Sequence, residues 1–592
     1  MNDECTPAAE DAAPSAPATE DAAPSTPAVE GTAPEAISHS DRLAAHAEGR
    51  PLLTAAIVFF FFLVIGITID NRVPWTDDAR FYVPAAAAYG EWAVAALTFD
   101  SNAWSRTGIE HAFRENHEHP PVGKYAMAAT WLVFHRSTGM VDEVRACRLG
   151  VILLWAMMVA MVFWCISRIR GLGPGLFGAF ALATMPRVLF DGQVETLDLP
   201  VAALTVATFA LLWQCLENPR WPIIAATVVV FGLALGTKLN APFFLVALFA
   251  YWLLLSPPRR TPQGLRLGSV PVVILGMTLV SPLIVWLVWP WMWFDTLARL
   301  QQYLQYHLHH YNILFYFRGV LYSEEVAPWY APTLLAGVTV PVCILLLAAF
   351  GAWLAARAIA ARMRSFRCPG NDPLADNANA RFAVLAAITG TVQLVAVSLP
   401  GVPVYGGVKL FLPAFPFIAI LAGLGFAELQ QEIQKVVQRI HLRPWLSGGL
   451  AVALLLPGLL GVFAYHGAWL SYYNEPAGGL RGAVAAGYER QYYDLAYPEI
   501  PKALNDLLPN GGSVAFLPNP KEYTPYLARW QKSGDLHRNI RRAPPENADL
   551  LVLTHERRWQ EYPELQARYR THRLAAQHKV AGVPLFSIYD LR

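Results

Sequence analysis

Asp77 and Asp78 stand side by side just beyond the first long apolar run, within Trp75-Thr76-Asp77-Asp78-Ala79-Arg80. Glu118-His119-Pro120-Pro121-Val122-Gly123-Lys124 closes the same polar stretch on a turn stiffened by two prolines. Farther along come Glu195 and Asp198, Lys238, the histidines His307, His309 and His310, then Arg318 and Lys409. Charged groups near a bilayer are costly and usually face a cavity or one another. This set holds carboxylates able to take a proton from a hydroxyl. It also holds cations able to stabilise a departing phosphate. No Gly-x-Ser-x-Gly elbow is present, so an acyl-enzyme route is not indicated.

Each group also has a plainer use. Asp77-Asp78 can cap a helix beginning at Ala79, since aspartate is a favoured N-cap. Lys238 lies between two apolar runs and can snorkel to the interface. The His-x-His-His cluster lacks the i, i+4 spacing that sets two metal ligands on one helical face. The sequence points to no definite cofactor and leaves a divalent metal open, with His309 and His310 as its candidate ligands. What favours chemistry is convergence, because these groups fall at one end of the expected spans.

The elements that must position them are membrane helices. Of the 592 residues 55% are hydrophobic and 15% charged, against about 25% charged in an ordinary soluble domain. Eleven apolar runs approach the roughly 20 residues that cross a bilayer. They lie near 51–69, 146–166, 174–190, 199–216, two within 222–255, 268–290, 333–356, 382–399, 408–426 and 446–466. The run 122–135 is shorter and reads as an interfacial helix. A formal net charge of +1 argues against a nucleic-acid partner. The six cysteines are scattered and imply neither a disulfide framework nor a zinc knuckle.

These runs give a polytopic α-helical membrane protein of about eleven spans, with interfacial helices in the first outer loop and a small C-terminal α/β soluble domain. The expected divisions are a Pro/Ala/Glu-rich tail at 1–48, a transmembrane catalytic domain at 49–467 and the α/β domain at 468–592. The tail carries a repeat starting at Glu10 and again at Glu20, and its composition predicts disorder. The transmembrane part has two long polar loops, 70–145 and 291–332. Arginines crowd the short loops at 168–170, 259–266, 357–367 and 435–443, all on the side of the N-terminus. The positive-inside rule makes that side cytoplasmic and sets the long loops and C-terminal domain on the opposite face. In the C-terminal part, 513–517 and 549–553 read as buried strands, 498–508 and 559–570 as helices, and 577–589 as a hairpin about Ala581-Gly582.

The acid pair after the first span, the Glu-His-Pro-Pro-x-Gly-Lys turn and Asp198-Leu199-Pro200 resemble glycosyltransferase family 39. So do the segments ending in Gly236-Thr237-Lys238 and beginning at Val408-Lys409. That family, of the GT-C class, includes protein O-mannosyltransferases and lipid A aminoarabinose transferases, and takes a sugar from a polyprenyl phosphate. The resemblance covers roughly residues 50–430. It implies that Asp77 is the general base and that Asp78 orients the acceptor. Glu118 takes a cavity position that lies near a metal in some members. His119 stands where the mannosyltransferase branch has histidine and the aminoarabinose branch lysine. Asp198 matches the acid opening the fourth span, and Lys238 a cavity lysine. Lys409 replaces an arginine that contacts phosphate, keeping the charge but losing the bidentate fork. His309, His310 and Arg318 align loosely. The run Tyr472-Tyr473-Asn474-Glu475-Pro476 resembles uncharacterised bacterial members and carries no assigned chemistry.

The sequence reading is thus an inverting glycosyltransferase of a bacterial-type inner membrane, working on its extracytoplasmic face, metal-independent or metal-assisted. Its partners are a polyprenyl-phosphate-linked sugar donor, a lipid, glycan or protein acceptor, and the membrane lipids. The alternative is a transporter or flippase for a lipid-linked or small polar substrate. Internal repeats and midplane sites, which transporters usually show, are not visible. A third option is a non-catalytic assembly scaffold.

Overall fold

The computed structural model describes residues 51–592 apart from 70–72, 258, 262–263, 267, 309–312, 323–326, 367–371, 376, 401, 403, 438–441, 519–520 and 522. The repeat-bearing tail therefore lies outside the described residues. Among the described residues, seven helices are long and apolar enough to cross a bilayer. They are Pro51–Ile69, Glu143–Arg170, Asp198–Glu217, Val342–Ser365, Ala378–Ala396, Lys409–Val436 and Pro444–Ala464. The other four runs form shorter apolar helices: Leu172–Ala183, Trp221–Leu235, Pro242–Leu255 and Val272–Val288.

Proline explains where the structure divides a run that the hydropathy pattern reads as continuous. The run near 174–190 is two helices, Leu172–Ala183 and Pro186–Asp191, because Pro186 opens the second. Val272–Leu279 and Ser281–Val288 part ahead of Pro282. Ala331–Thr339 stops before Pro341, and Val342–Ser365 begins after it. A proline lacks the amide a helix interior needs but fits its first turn. The run at 122–135 becomes Val122–Trp131, ten residues long, continued by a wider π-helical turn. At 1.5 Å per residue it is too short to span a membrane.

Glu143–Arg170 is the central helix. It packs against Pro51–Ile69, Val122–Trp131, Leu172–Ala183 and Asp198–Glu217, and Trp155, Phe163 and Ile166 on it are almost fully buried. Val342–Ser365 and Phe415–Val436 form the other tight crossing. A Cβ at Gly351 would collide with the Leu421 carbonyl, and one at Gly425 with the Leu347 carbonyl. Small residues let membrane helices approach this closely. The crossing matters to the site because Phe415–Val436 continues directly from the short turn Lys409–Ala414.

After Pro444–Ala464 the chain runs through short turns to a five-stranded sheet. Its order is Ile540–Arg542, Gly512–Leu517, Leu550–Thr554, Val583–Asp590, Arg573–Val580. The first three strands are parallel and the last two pairings antiparallel. Leu550–Thr554 is buried along its whole length. The hairpin turns at Ala581 and Gly582, with φ of 48° and 77°, the positive values a two-residue I′ turn demands. The sequence reading passed over strand Ile540–Arg542, which is only three residues long, and helix Tyr523–Ser533, whose buried Tyr523, Tyr526, Leu527 and Trp530 do recur at helical spacing.

The Gly425 crossing gives a test of this packing. Gly425→Ala should lower stability by roughly 2 kcal/mol through overpacking. Gly448, whose Cβ would meet nothing within 4 Å, should accept alanine without such a penalty. Thermal unfolding of the two variants in detergent measures the difference.

Candidate functional site

Three chain segments, each pinned by buried contacts, meet at one end of the helical domain. The first is the strap Val73–Asp78. Arg148, on the central helix and almost fully buried, pairs with Glu195 at 2.8 Å. It also donates to the carbonyls of Val73 and Pro74 at 3.1 and 2.9 Å. Trp75 exchanges backbone hydrogen bonds with Ala496 at 3.2 and 2.9 Å. Tyr526, from the sheet domain, donates its hydroxyl to the Thr76 carbonyl at 2.6 Å. The strap is thus held from the membrane side and from the C-terminal side.

That clamp aims the two aspartates. Asp78 occupies the N-cap position of helix Ala79–Leu97, yet its side chain makes no capping hydrogen bond among the described residues. It accepts instead from Lys409 Nζ at 3.3 Å and from the Tyr493 hydroxyl at 3.1 Å. Asp77 Oδ1 is buried with no hydrogen-bond partner among the described residues. Burial, then Asp494 and Asp78, push the Asp77 carboxyl up to about 7, against the pull of Arg557 and Lys409. An acid held near neutrality in a buried site suits proton transfer.

The second segment is the break Gly236–Ala241 between two apolar helices. Lys238 there does not snorkel outward: its side chain is 13% exposed and pairs with Asp198 at 2.5 Å. Asp198 is buried at the start of its helix and also accepts from the Thr196 hydroxyl at 3.2 Å. Val122 donates its amide to the Gly236 carbonyl at 2.9 Å, tying the break to the Pro-Pro turn. The third segment leads into Lys409. Gly406 and Gly407 have φ of 64° and 55°, and a Cβ at Gly407 would run into the Tyr492 ring. Lys409 Nζ lies 4.8 Å from the Tyr493 ring centre, a cation–π contact beside its ion pair.

Asp77, Asp78, Glu118, His119, Lys238 and Lys409 all line one cavity of about 620 Å³, and Asp198 stands behind Lys238 as its partner. Glu118 accepts from Asn116 Nδ2 at 2.9 Å. Asn116 in turn accepts from Lys124, whose buried amine also donates to the carbonyls of Asn116 and His119 at 2.6 and 2.9 Å. Lys124 is therefore the internal tie of the turn. Burial draws its amine down to about 7, while Glu118 acts in the opposite sense. His119 sits among Tyr82, Tyr306 and His307, with ring centres 6.5, 6.0 and 5.5 Å away. Burial, then Lys124 and Lys238, hold His119 well below the usual histidine range, so it is a neutral group.

Arg318, another sequence candidate, is not brought here. Arg318 lies exposed at the tip of the hairpin Phe315–Phe317/Val320–Tyr322 with φ 51°, its neighbour Gly319 bonded to the Gly487 carbonyl. The hairpin's turn faces that contact, which holds Arg318 off the cavity lining. His309 and His310 lie outside the described residues. Among the described residues no three His, Cys, Asp or Glu side chains converge as a metal ion needs, and Glu118 is engaged by Asn116.

The sequence reading missed the wall supplied from beyond the last membrane helix. Tyr492, Tyr493 and Arg557 line the cavity. The Tyr492 hydroxyl reaches Asp191 Oδ2 at 3.5 Å, and Arg187 stacks over Tyr473 at 4.6 Å and Tyr492 at 5.9 Å. The available signal was the density of aromatic and charged types in Tyr488–Asp494, residues that would not be buried without partners.

The strap's anchor can be tested directly. Arg148→Met leaves Glu195 buried without its cation and should destabilise the protein by roughly 3 kcal/mol or more. The doubly apolar Arg148→Met/Glu195→Leu variant should recover much of that loss in thermal unfolding.

Residues 118–286 match the family model described as dolichyl-phosphate-mannose-protein mannosyltransferase. The stretch includes Glu118, His119, Asp198 and Lys238, and the resemblance carried by the motifs is thereby shown for it. Comparison with the curated proteins finds no match. Among solved structures, ArnT from Cupriavidus metallidurans in the apo state is similar with a TM-score of 0.43 and 13% identity, over 92% of this chain and 98% of that one. ArnT bound to undecaprenyl phosphate gives 0.42 and 14% over the same shares. The oligosaccharyltransferase AglB from Archaeoglobus fulgidus gives 0.43 and 10%, over 84% of this chain and 69% of that one.

Proposed function

We propose that the chain is a membrane glycosyltransferase that moves a sugar from a polyprenyl phosphate to an acceptor hydroxyl. The observation that carries this reading is one cavity holding a buried Asp77, whose Oδ1 has no hydrogen-bond partner among the described residues, together with two lysines, Lys238 and Lys409. The family match over 118–286 supports the donor class.

In the proposed step Asp77 takes the proton of the acceptor hydroxyl, whose oxygen attacks the anomeric carbon. The bond from that carbon to the phosphate oxygen breaks, and the phosphate leaves with the electron pair. Lys238 and Lys409 meet its charge, acting where charge develops. One displacement inverts the anomeric centre and needs no covalent enzyme intermediate. Asp78, which the resemblance gave to the acceptor, is occupied by Lys409 and Tyr493. In this reading Asp78 holds the phosphate-binding Lys409 in place, and Asp198 does the same for Lys238. Both lysines exchange a carboxylate for the phosphate as the donor arrives. His119, being neutral, can donate or accept a hydrogen bond to the sugar without adding charge.

On this reading the site faces the extracytoplasmic side of a bacterial-type inner membrane. Reporter fusions at residues 100 and 550 should give extracytoplasmic signals, and a cytoplasmic signal at either would place the reaction on the other face.

Asp77→Asn should lower transfer by about 100-fold or more, the usual range for a lost general base, in membranes supplied with polyprenyl-phosphate-linked mannose and scored for any radiolabelled product. Unchanged transfer in a folded Asp77→Asn protein removes Asp77 as the base. Because the carboxylate is the active form and its carboxyl lies at about 7, the rate should fall as pH drops below about 7 and level off above it.

A further inference from the structure

The polar wall beyond the last membrane helix does more than close the cavity. Arg557 belongs to a short turn between strand Leu550–Thr554 and helix Pro563–Arg570 of the sheet domain. It is buried, lines the same cavity as Asp77, and donates through Nη1 to the Tyr492 carbonyl. Asp494 lies two residues farther along that segment and is almost fully buried. Ala496, two residues beyond, carries the backbone bridge to Trp75. The groups that act on Asp77 thus come from different elements. Asp78 comes from its own strap, Lys409 from the turn after Gly407, Asp494 from the connecting segment and Arg557 from the sheet domain. Tyr526 adds a hydroxyl beside the strap at the Thr76 carbonyl, with Arg80 near it. Arg557 itself faces Glu556, Glu489 and Asp494 as well as Asp77.

From this placement we infer that the sheet domain completes the reaction centre, with Arg557 and Asp494 as opposed positioning residues that set the charge on Asp77. The inference rests on the reading of Asp77 as base, and it assigns the C-terminal domain a part in the chemistry. Arg557 attracts the carboxylate form of Asp77 and Asp494 opposes it. Burial and Asp494 both favour the protonated acid, and the Arg557 cation offsets them in favour of the carboxylate. The Tyr492 carbonyl fixes the guanidinium, so a shift of the sheet domain relative to the strap alters Asp77 without touching any membrane helix.

The test reads Asp77 itself and not the transfer reaction. Full-length protein in detergent is treated with dicyclohexylcarbodiimide, which labels protonated carboxyls, across a pH series, and label on the Asp77 peptide is quantified by mass spectrometry. Wild type should lose label with a midpoint near 7. Arg557→Gln should raise the midpoint by about one pH unit, leaving about fivefold less carboxylate at pH 7. Asp494→Asn should lower it by a similar amount, and Arg557→Lys should stay near wild type. If Arg557→Gln does not fold, the Asp494→Asn shift and the Arg557→Lys rescue still decide the matter. A wild-type midpoint in Arg557→Gln or in Asp494→Asn removes that residue from the role. Transfer activity is scored separately. Shifted midpoints without any transferase activity keep the coupling and reject the glycosyltransferase reading, whereas activity with fixed midpoints does the reverse.

Discussion

Arg148 is the interaction on which the site depends. A single guanidinium, held in the central helix and almost out of reach of water, neutralises Glu195 and fixes the carbonyls of Val73 and Pro74. Without it the strap would leave two polar carbonyls and a carboxylate unsatisfied in an apolar setting, which costs several kcal/mol. The strap's path then decides where Asp77 and Asp78 point. The turn at 191–198 is fixed by the same contact, and with it the start of the Asp198 helix.

The same economy of charge runs through the cavity. Lys238 is matched by Asp198, Lys409 by Asp78, and Arg557 stands among Glu489, Glu556, Asp494 and Asp77. Charges buried at a membrane edge persist when each has a partner. An anionic ligand therefore meets cations already placed at fixed geometry, and its arrival redistributes existing pairs. The candidate site is organised by the protein's own charge pairs.

The helical architecture was legible in the sequence because hydropathy and proline position are local signals. Every apolar run found a helix, and the divisions at Pro186, Pro282 and Pro341 follow from chemistry visible in the chain. Asp77, Lys238 and Lys409 were legible as candidates because a charge beside an apolar run has few structural uses. Their pairing was not, since the Asp78–Lys409 contact joins residues hundreds of positions apart. Arg318 misled for the opposite reason: its loop lies near the site in sequence reading, but its hairpin turns toward Gly487. The wall formed by Tyr492, Tyr493 and Arg557 went unread because its residues lie past the last apolar run, where polar composition suggests a separate soluble unit. Gly407 carries the clearest hidden signal, since its need for no Cβ appears only when Tyr492 is placed against it.

That contact between an early glycine turn and a late tyrosine has a consequence for how the protein is made. The membrane helices and both lysines are synthesised before Tyr488–Asp494 exists, and Arg557 follows later still. Until the sheet domain has been made and has docked on the Val73–Asp78 strap, the cavity lacks the side formed by Tyr492, Tyr493 and Arg557. The helical bundle is thus made with Asp77, Lys238 and Lys409 present but the candidate site open on one side. Docking of the sheet domain, rather than insertion of the bundle, is the event that closes it.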